Sequence, residues 1–239
     1  MKTKNEIISE IITFCEENAD EAMALKYSRY FKGEFNAYGL TNPIVNTKVK
    51  EMLRRKDFTI QTVIEAAPQL FKSGKYEETS FALLLINGLP KEFTKEVFKK
   101  IETWFSIAIH NWAHADTLAM FTLPQLVKKE VISMNDFEPW LTSEYKFQRR
   151  CVPVTLIKSL KTTEDYNSIF EFLKPLMLDP VREIHQGMGW FLREAWKKKP
   201  EVTEAFLLKY KNTAARLIFQ YACEKMTPEQ KLKFKKEKI

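Results

Sequence analysis

Three features of this 239-residue chain predict an all-α fold. Apolar residues recur at three- and four-residue spacing along most of its length, and nowhere do they alternate as in a half-buried strand. Its 6 glycines and 10 prolines are too few for the turns of a β sandwich or barrel. The periodic segments are about 10–18 residues long and short turns join them, which is the pattern of an α-solenoid of stacked HEAT-like helix pairs. One helix from each pair then lines a concave groove. With 45% hydrophobic residues the chain can bury a large core, and residues 1–239 are taken as one domain.

In chain order, Ile7, Ile8, Ile11, Ile12 and Cys15 hold the period of a first helix. Met23, Ala24, Tyr27 and Tyr30 hold that of a second, over Asp20 to Phe31. A glycine-bracketed aromatic loop follows from Gly33 to Leu40, and Thr41-Asn42-Pro43 opens the next helix with proline in its first turn. Helices are expected at about 44–55, 58–72, 76–88 and 93–107. The apolar run Trp104 to Phe121 reads as helical, and after it come segments at about 124–130, 136–142, 145–160, 164–173, 181–198, 201–210 and 212–225. A lysine-rich tail begins at Pro228.

Lys+Arg exceed Asp+Glu by 38 to 31, a net charge of +7. That balance suits a polyanionic partner, although solvated surfaces often carry it. Basic clusters recur near helix ends, as at Arg54-Arg55-Lys56, Lys128-Lys129, Arg149-Arg150 and Lys197-Lys198-Lys199. Such clusters are usually solvated and complement the helix dipole; in a solenoid they also line one edge, where they can follow a phosphate backbone. Cys15, Cys151 and Cys223 are odd in number and widely spaced, so neither a disulfide framework nor a zinc site is indicated. The N-terminus leads into an amphipathic acidic segment, and no apolar run reaches membrane-spanning length, so a cytoplasmic protein is expected. No Walker loop, GxSxG elbow or HExxH motif occurs.

The stretch Asn111-Trp112-Ala113-His114-Ala115-Asp116 sets the main question. Trp112, Ala115, Asp116 and Ala119 share one helical face, so a carboxylate stands in a stripe that would otherwise be apolar. Burying an unpaired carboxylate is costly, so either a cation pairs with Asp116 or this face opens onto a cleft where the charge does chemistry. The ordinary reading is a packed indole beside a capping or paired acid. His110 and His114 have a spacing that can hold a metal, but they point away from the Asp116 face and no third ligand is spaced with them. No metal site is expected.

Gly187 and Gly189 fall inside a predicted helix, where each costs about 1 kcal/mol relative to alanine. They imply close approach by another helix or a ligand, with Trp190 beside it. Trp190, Arg193, Glu194 and Lys197 form a face aromatic at one end and charged at the other. Arg149 and Arg150 head a long apolar helix, where the dipole disfavours cations, so one of them should have an anionic partner. Asp116 or a phosphate would serve. Tyr30 either packs in the core or lines a groove.

Taken together, these residues resemble the AlkD-type DNA alkylation repair glycosylases, over nearly the whole chain. The resemblance rests on Tyr30-Phe31-Lys32-Gly33 through Gly39-Leu40 and Pro43, on Trp112 with Asp116, on Gln148-Arg149, and on Gly189-Trp190-Phe191-Leu192-Arg193-Glu194. It implies a stack of HEAT-like helix pairs whose concave basic groove holds duplex DNA, and hydrolysis of the N-glycosidic bond of cationic N3- and N7-alkylated purines. By that resemblance Asp116 is the catalytic carboxylate and Trp112 and Trp190 are aromatic walls around the deoxyribose. Arg149 and Tyr30 contact DNA, with Arg150, Arg193 and Lys197 as further DNA-binding candidates.

An alkylated purine already carries positive charge and leaves without a general acid. What remains is an oxocarbenium-like sugar, which a carboxylate and electron-rich indole faces stabilise. The resemblance implies a monomer, no metal or cofactor and no deep base pocket. The chain departs from the family at Asn111, where relatives often have a second tryptophan, and at His114, where they have a small residue. Some relatives bind branched or distorted DNA without turnover, which is the alternative reading.

Overall fold

The computed structural model describes residues 1–33 and 35–237. Glu34 of the aromatic loop, and Lys238 and Ile239 at the end of the lysine-rich tail, lie outside the described residues. The chain is all-α, with no strand among the described residues, and divides into two compact units, Met1–Leu126 and Val127–Ile239.

The first unit holds α1 (Lys4–Glu17), α2 (Glu21–Ser28), α3 (Asn42–Arg55), α4 (Ile60–Lys72), α5 (Tyr76–Asn87), α6 (Lys95–Trp104) and α7 (Trp112–Thr117). Its starts obey cap chemistry: Thr3 and Thr59 form capping boxes, and Asp20 accepts from the Met23 amide. Helix α5 is buried on nearly all sides and packs on α1, α3, α4 and α7. That environment suits Phe81-Ala82-Leu83-Leu84-Leu85-Ile86, an unbroken apolar run no surface helix would carry.

The apolar run Trp104–Phe121 departs from the single helix its period suggests. Helix α6 stops at Trp104, and the Ala108 and Ile109 amides both return to the Trp104 carbonyl, at 2.8 and 3.0 Å. A new helix starts at Trp112, and after Thr117 it widens into a π turn over Leu118–Thr122 before α8 (Leu123–Lys128). The boundary between the two units falls within α8.

The second unit continues with a 3₁₀ segment, Met134–Thr142, where an α-helix at 136–142 is expected from sequence. Pro139 inside it supplies no amide donor. Then come α9 (Lys146–Leu156), α10 (Tyr166–Leu173), α11 (Arg182–Trp196), α12 (Pro200–Tyr210), α13 (Arg216–Ala222) and α14 (Pro228–Leu232). Helix α11 is central and packs on α9, α12 and α13. A Cβ at Gly189 would lie 2.5 Å from the Tyr221 Cβ and 2.8 Å from the Ile218 carbonyl oxygen, so α13 is what the glycine admits. A Cβ at Gly187 would lie 3.3 Å from Cγ of Arg150 on α9. Both glycines therefore serve helix packing, and neither is reserved for a ligand.

Candidate active site

The site residues of the first unit stand at the start of a helical run that continues from α7 through the π turn into α8, so their placement depends on how that run is started. Asn111 caps α7: its Oδ1 accepts from the His114 amide at 2.9 Å, and its Nδ2 lies 2.9 Å from His114 Nδ1. The His114 ring is buried, stacks on Tyr76 with centroids 4.5 Å apart, and brings Nε2 within 3.1 Å of the Tyr76 carbonyl oxygen. Burial pushes its pKa down to about 4, so the imidazole is neutral.

Trp112 and Asp116 follow one turn apart on α7. The indole is 42% exposed, and its Nε1 donates to the Tyr30 carbonyl at 3.3 Å. Phe31 backs it, with rings near parallel and centroids 5.6 Å apart, and Phe35 stacks on Phe31 at 4.4 Å. Tyr30 itself is 67% exposed and meets Trp112 through its backbone. Asp116 is half-buried, neither sealed nor on open surface.

The loop that carries Phe31 and Phe35 is pinned by the start of α5. Glu77, fully buried, accepts from three successive backbone amides, of Tyr38, Gly39 and Leu40, at 2.8, 2.8 and 3.0 Å. Glu78 accepts from the Tyr38 hydroxyl and the Ser73 hydroxyl. Gly39 has φ +90°, and a Cβ there would stand 2.0 Å from the Asp20 carbonyl oxygen, so only glycine fits. Phe31, Phe35, Tyr76, Asn111 and His114 line a hollow of about 190 Å³ beside Trp112. A larger one of about 330 Å³ adjoins Thr117 and Phe121 and is lined by Asn42, Asn46, Ser80 and Asn87.

In the second unit, Arg149 has an anionic partner in Asp179. Its Nε donates to Asp179 at 2.7 Å, and its Nη1 to the Ser143 carbonyl. Asp179 also accepts from the Val181 amide at 2.8 Å, which fixes the carboxylate that fixes the guanidinium. Arg150 is buried, its Nη1 donating to the Glu183 carbonyl at 2.7 Å. Trp190 is half-buried on α11. On the same helix Arg193 pairs with Glu194 and Glu224, and Lys197 with Glu194 at 2.8 Å.

Sequence reasoning finds Trp112 and Asp116 as one face, and misses the residues that hold that face. Asn111 is readable as a cap, because it precedes the helical stripe immediately. Glu77 and Glu78 look like ordinary first-turn acids, and only the fold brings residues 38–40 to them.

A chain whose helices pack against their sequence neighbours in this way is a helical-repeat protein. It belongs to the DNA alkylation repair enzyme family, whose model matches residues 12–226. Among solved structures, a predicted DNA alkylation repair enzyme from Enterococcus faecalis is similar with a TM-score of 0.74 at 16% identity, over 88% of this chain and 97% of its own. AlkD2 from Streptococcus mutans gives 0.61 at 17% identity, over 93% and 98%. The smu.31 protein of Streptococcus mutans UA159 gives 0.57 at 21% identity, over 74% and 92%. At these identities the likeness is one of fold. No curated protein matches the chain. Among the described residues no helix is long and apolar enough to cross a membrane.

Proposed function

We propose that the protein is a monomeric DNA glycosylase that hydrolyses the N-glycosidic bond of cationic N3- or N7-alkylated purines in duplex DNA. Asp116 is the catalytic carboxylate, stabilising the oxocarbenium-like sugar and orienting the attacking water. Trp112 offers an electron-rich face to the same developing charge. Trp190 is a second aromatic surface for the deoxyribose. Tyr30, Arg149, Arg193 and Lys197 contact the DNA; Arg150, being buried, is not counted among these contacts.

The observation that carries this reading is the pairing on α7 of an indole 42% exposed with a carboxylate one turn on that is neither sealed nor fully solvated. A tryptophan packed in the core would have its ring covered, and an acid that caps the helix would stand at its start. Here the cap is Asn111, and Asp116 is the fifth residue of the helix. Phe31 backs an indole that stays 42% exposed. Family membership supplies DNA as the partner.

The test is single-turnover release of 7-methylguanine and 3-methyladenine from methylated duplex DNA by the wild type and Asp116→Asn. A loss of about 10²- to 10³-fold in rate, with duplex affinity retained, is the expected result. Release that survives the substitution unchanged removes Asp116 from the mechanism. Tight binding of junctions with no base release by the wild type would instead favour the non-catalytic binder.

A further inference from the structure

We propose that Asn111 and His114 are positioning residues for the reaction, setting the first turn of α7 and with it the attitude of the Trp112 indole and the Asp116 carboxylate; the proposal rests on the glycosylase reading above. The hydrogen bonds around His114 admit one arrangement of protons. A backbone carbonyl only accepts, so Nε2, at 3.1 Å from the Tyr76 oxygen, carries the ring proton. The Asn111 amide is oriented because its Oδ1 takes the His114 backbone amide, so its Nδ2 donates to the bare Nδ1. Ser80 completes the set, its Oγ donating to the Tyr76 carbonyl at 2.9 Å and lying 3.1 Å from Nε2.

These contacts close on themselves. His114 stacks on Tyr76, Tyr76 meets Phe31 edge-on at 5.6 Å, Phe31 stacks on Trp112, and Trp112 follows Asn111 in the chain. The indole is thus held at its backbone by the cap and across its face by Phe31, and both restraints lead back to the first turn of α5. Capping alone does not account for the arrangement, because serine or threonine caps a helix as well and needs no buried imidazole.

The experiment uses the full chain with Asn111→Ser, His114→Ala and His114→Gln, and Asp116→Asn alongside. Serine keeps the cap and loses the donor to Nδ1; glutamine keeps an N–H for the Tyr76 carbonyl. Asn111→Ser and His114→Ala are expected to slow single-turnover release by about 10- to 100-fold while duplex affinity moves less than about twofold. His114→Gln should recover most of that loss. Trp112 emission, taken as the difference between each protein and its Trp112→Phe counterpart, should shift in Asn111→Ser and His114→Ala and return in His114→Gln. Wild-type rates in Asn111→Ser, no rescue by glutamine, or an unmoved Trp112 signal overturns the proposal. An inactive wild type, or an active Asp116→Asn, defeats the glycosylase reading instead, and the emission still decides the positioning.

Discussion

The two helices that bear the candidate tryptophans are anchored by opposite chemistry. Helix α7 opens a helical run that continues through the π turn into α8, and its first turn is held by an amide cap, a neutral imidazole and stacked rings. Helix α11 is fifteen residues long, packs on α9 and α13, and has salt bridges along its polar face: Lys146 to Glu183, Arg193 to Glu224 and Lys197 to Glu194, with Arg149 to Asp179 just before its start. A long helix is stable through its packing and tolerates mobile charges on its surface. The first turn of α7, which places an indole and a carboxylate, is held instead by a cap and stacked rings that do not exchange with solvent ions. In the second unit, exposed pairs such as Lys197–Glu194 are worth little to stability, so their cations remain available to phosphate at small cost.

The sharpest way to break this contrast is to remove a charged anchor of the second unit that is largely buried. Asp179 and Arg149 are 9% and 13% exposed, and Asp179→Asn leaves a guanidinium with little water and a neutral partner. A loss of about 3–5 kcal/mol is expected in urea unfolding, as for other buried pairs missing one member. A loss below about 1 kcal/mol would place Arg149 among the exchangeable surface cations of the second unit.

On the other side of the contrast, acid should act on the buried neutral imidazole. The folded pKa of His114 is depressed to about 4, below its ordinary value near 6.5, so between these values the unfolded chain binds the extra proton. The stability contributed by the neutral ring is therefore complete above pH 6.5 and is lost as pH falls toward 4. Its magnitude is up to about 3 kcal/mol. Unfolding free energies of the wild type and His114→Gln, compared from pH 8 to pH 4, isolate it: the difference should move in the wild type's disfavour across that window. Glu10 titrates lower. Its burial raises the pKa, but hydrogen bonds from Arg55, Lys2 and Lys48 overcome that and leave it at about 2, so its contribution persists until well below the histidine window.

The same contrast explains what was legible in the sequence. Helix existence was, because the apolar period of segments such as Ile7 to Cys15 is set by burial within one element. The break between α6 and α7 was legible in part, in the end of the expected helix at about 107 and in Asn111 as a cap, although Trp104, Ala108, Ala115 and Ala119 keep a helical spacing across it. Gly187 and Gly189 correctly signalled close approach, but the identity of the approaching groups, Arg150 and Tyr221, is a fact of tertiary packing. Arginine at the head of α9 correctly signalled an anionic partner. That partner is Asp179, thirty residues on, and spacing carries no trace of it. For the candidate site, Trp112 and Asp116 were visible because they lie one turn apart, whereas Phe31, Glu77 and His114 act through contacts between residues distant in the chain.

The smallest effect sharpens the contrast most, because it compares two bonds of equal length. Lys146 to Glu183 and Arg149 to Asp179 both measure 2.7 Å, but the Lys146 side chain is 46% exposed and that of Glu183 is 24% exposed. In solvent of high dielectric the attraction is weak, and holding a lysine side chain in place costs entropy of similar size. When the Glu183 charge is removed, the Lys146 ammonium can turn to water, and it already lies 5.0 Å from the Phe147 ring centroid. Glu183→Gln is therefore expected to change stability by less than about 1 kcal/mol in urea unfolding, with most of even that effect gone in high salt. A loss comparable to that of Asp179→Asn would mean that the surface pairs of the second unit are structural, and that its cations are not available to a phosphate backbone.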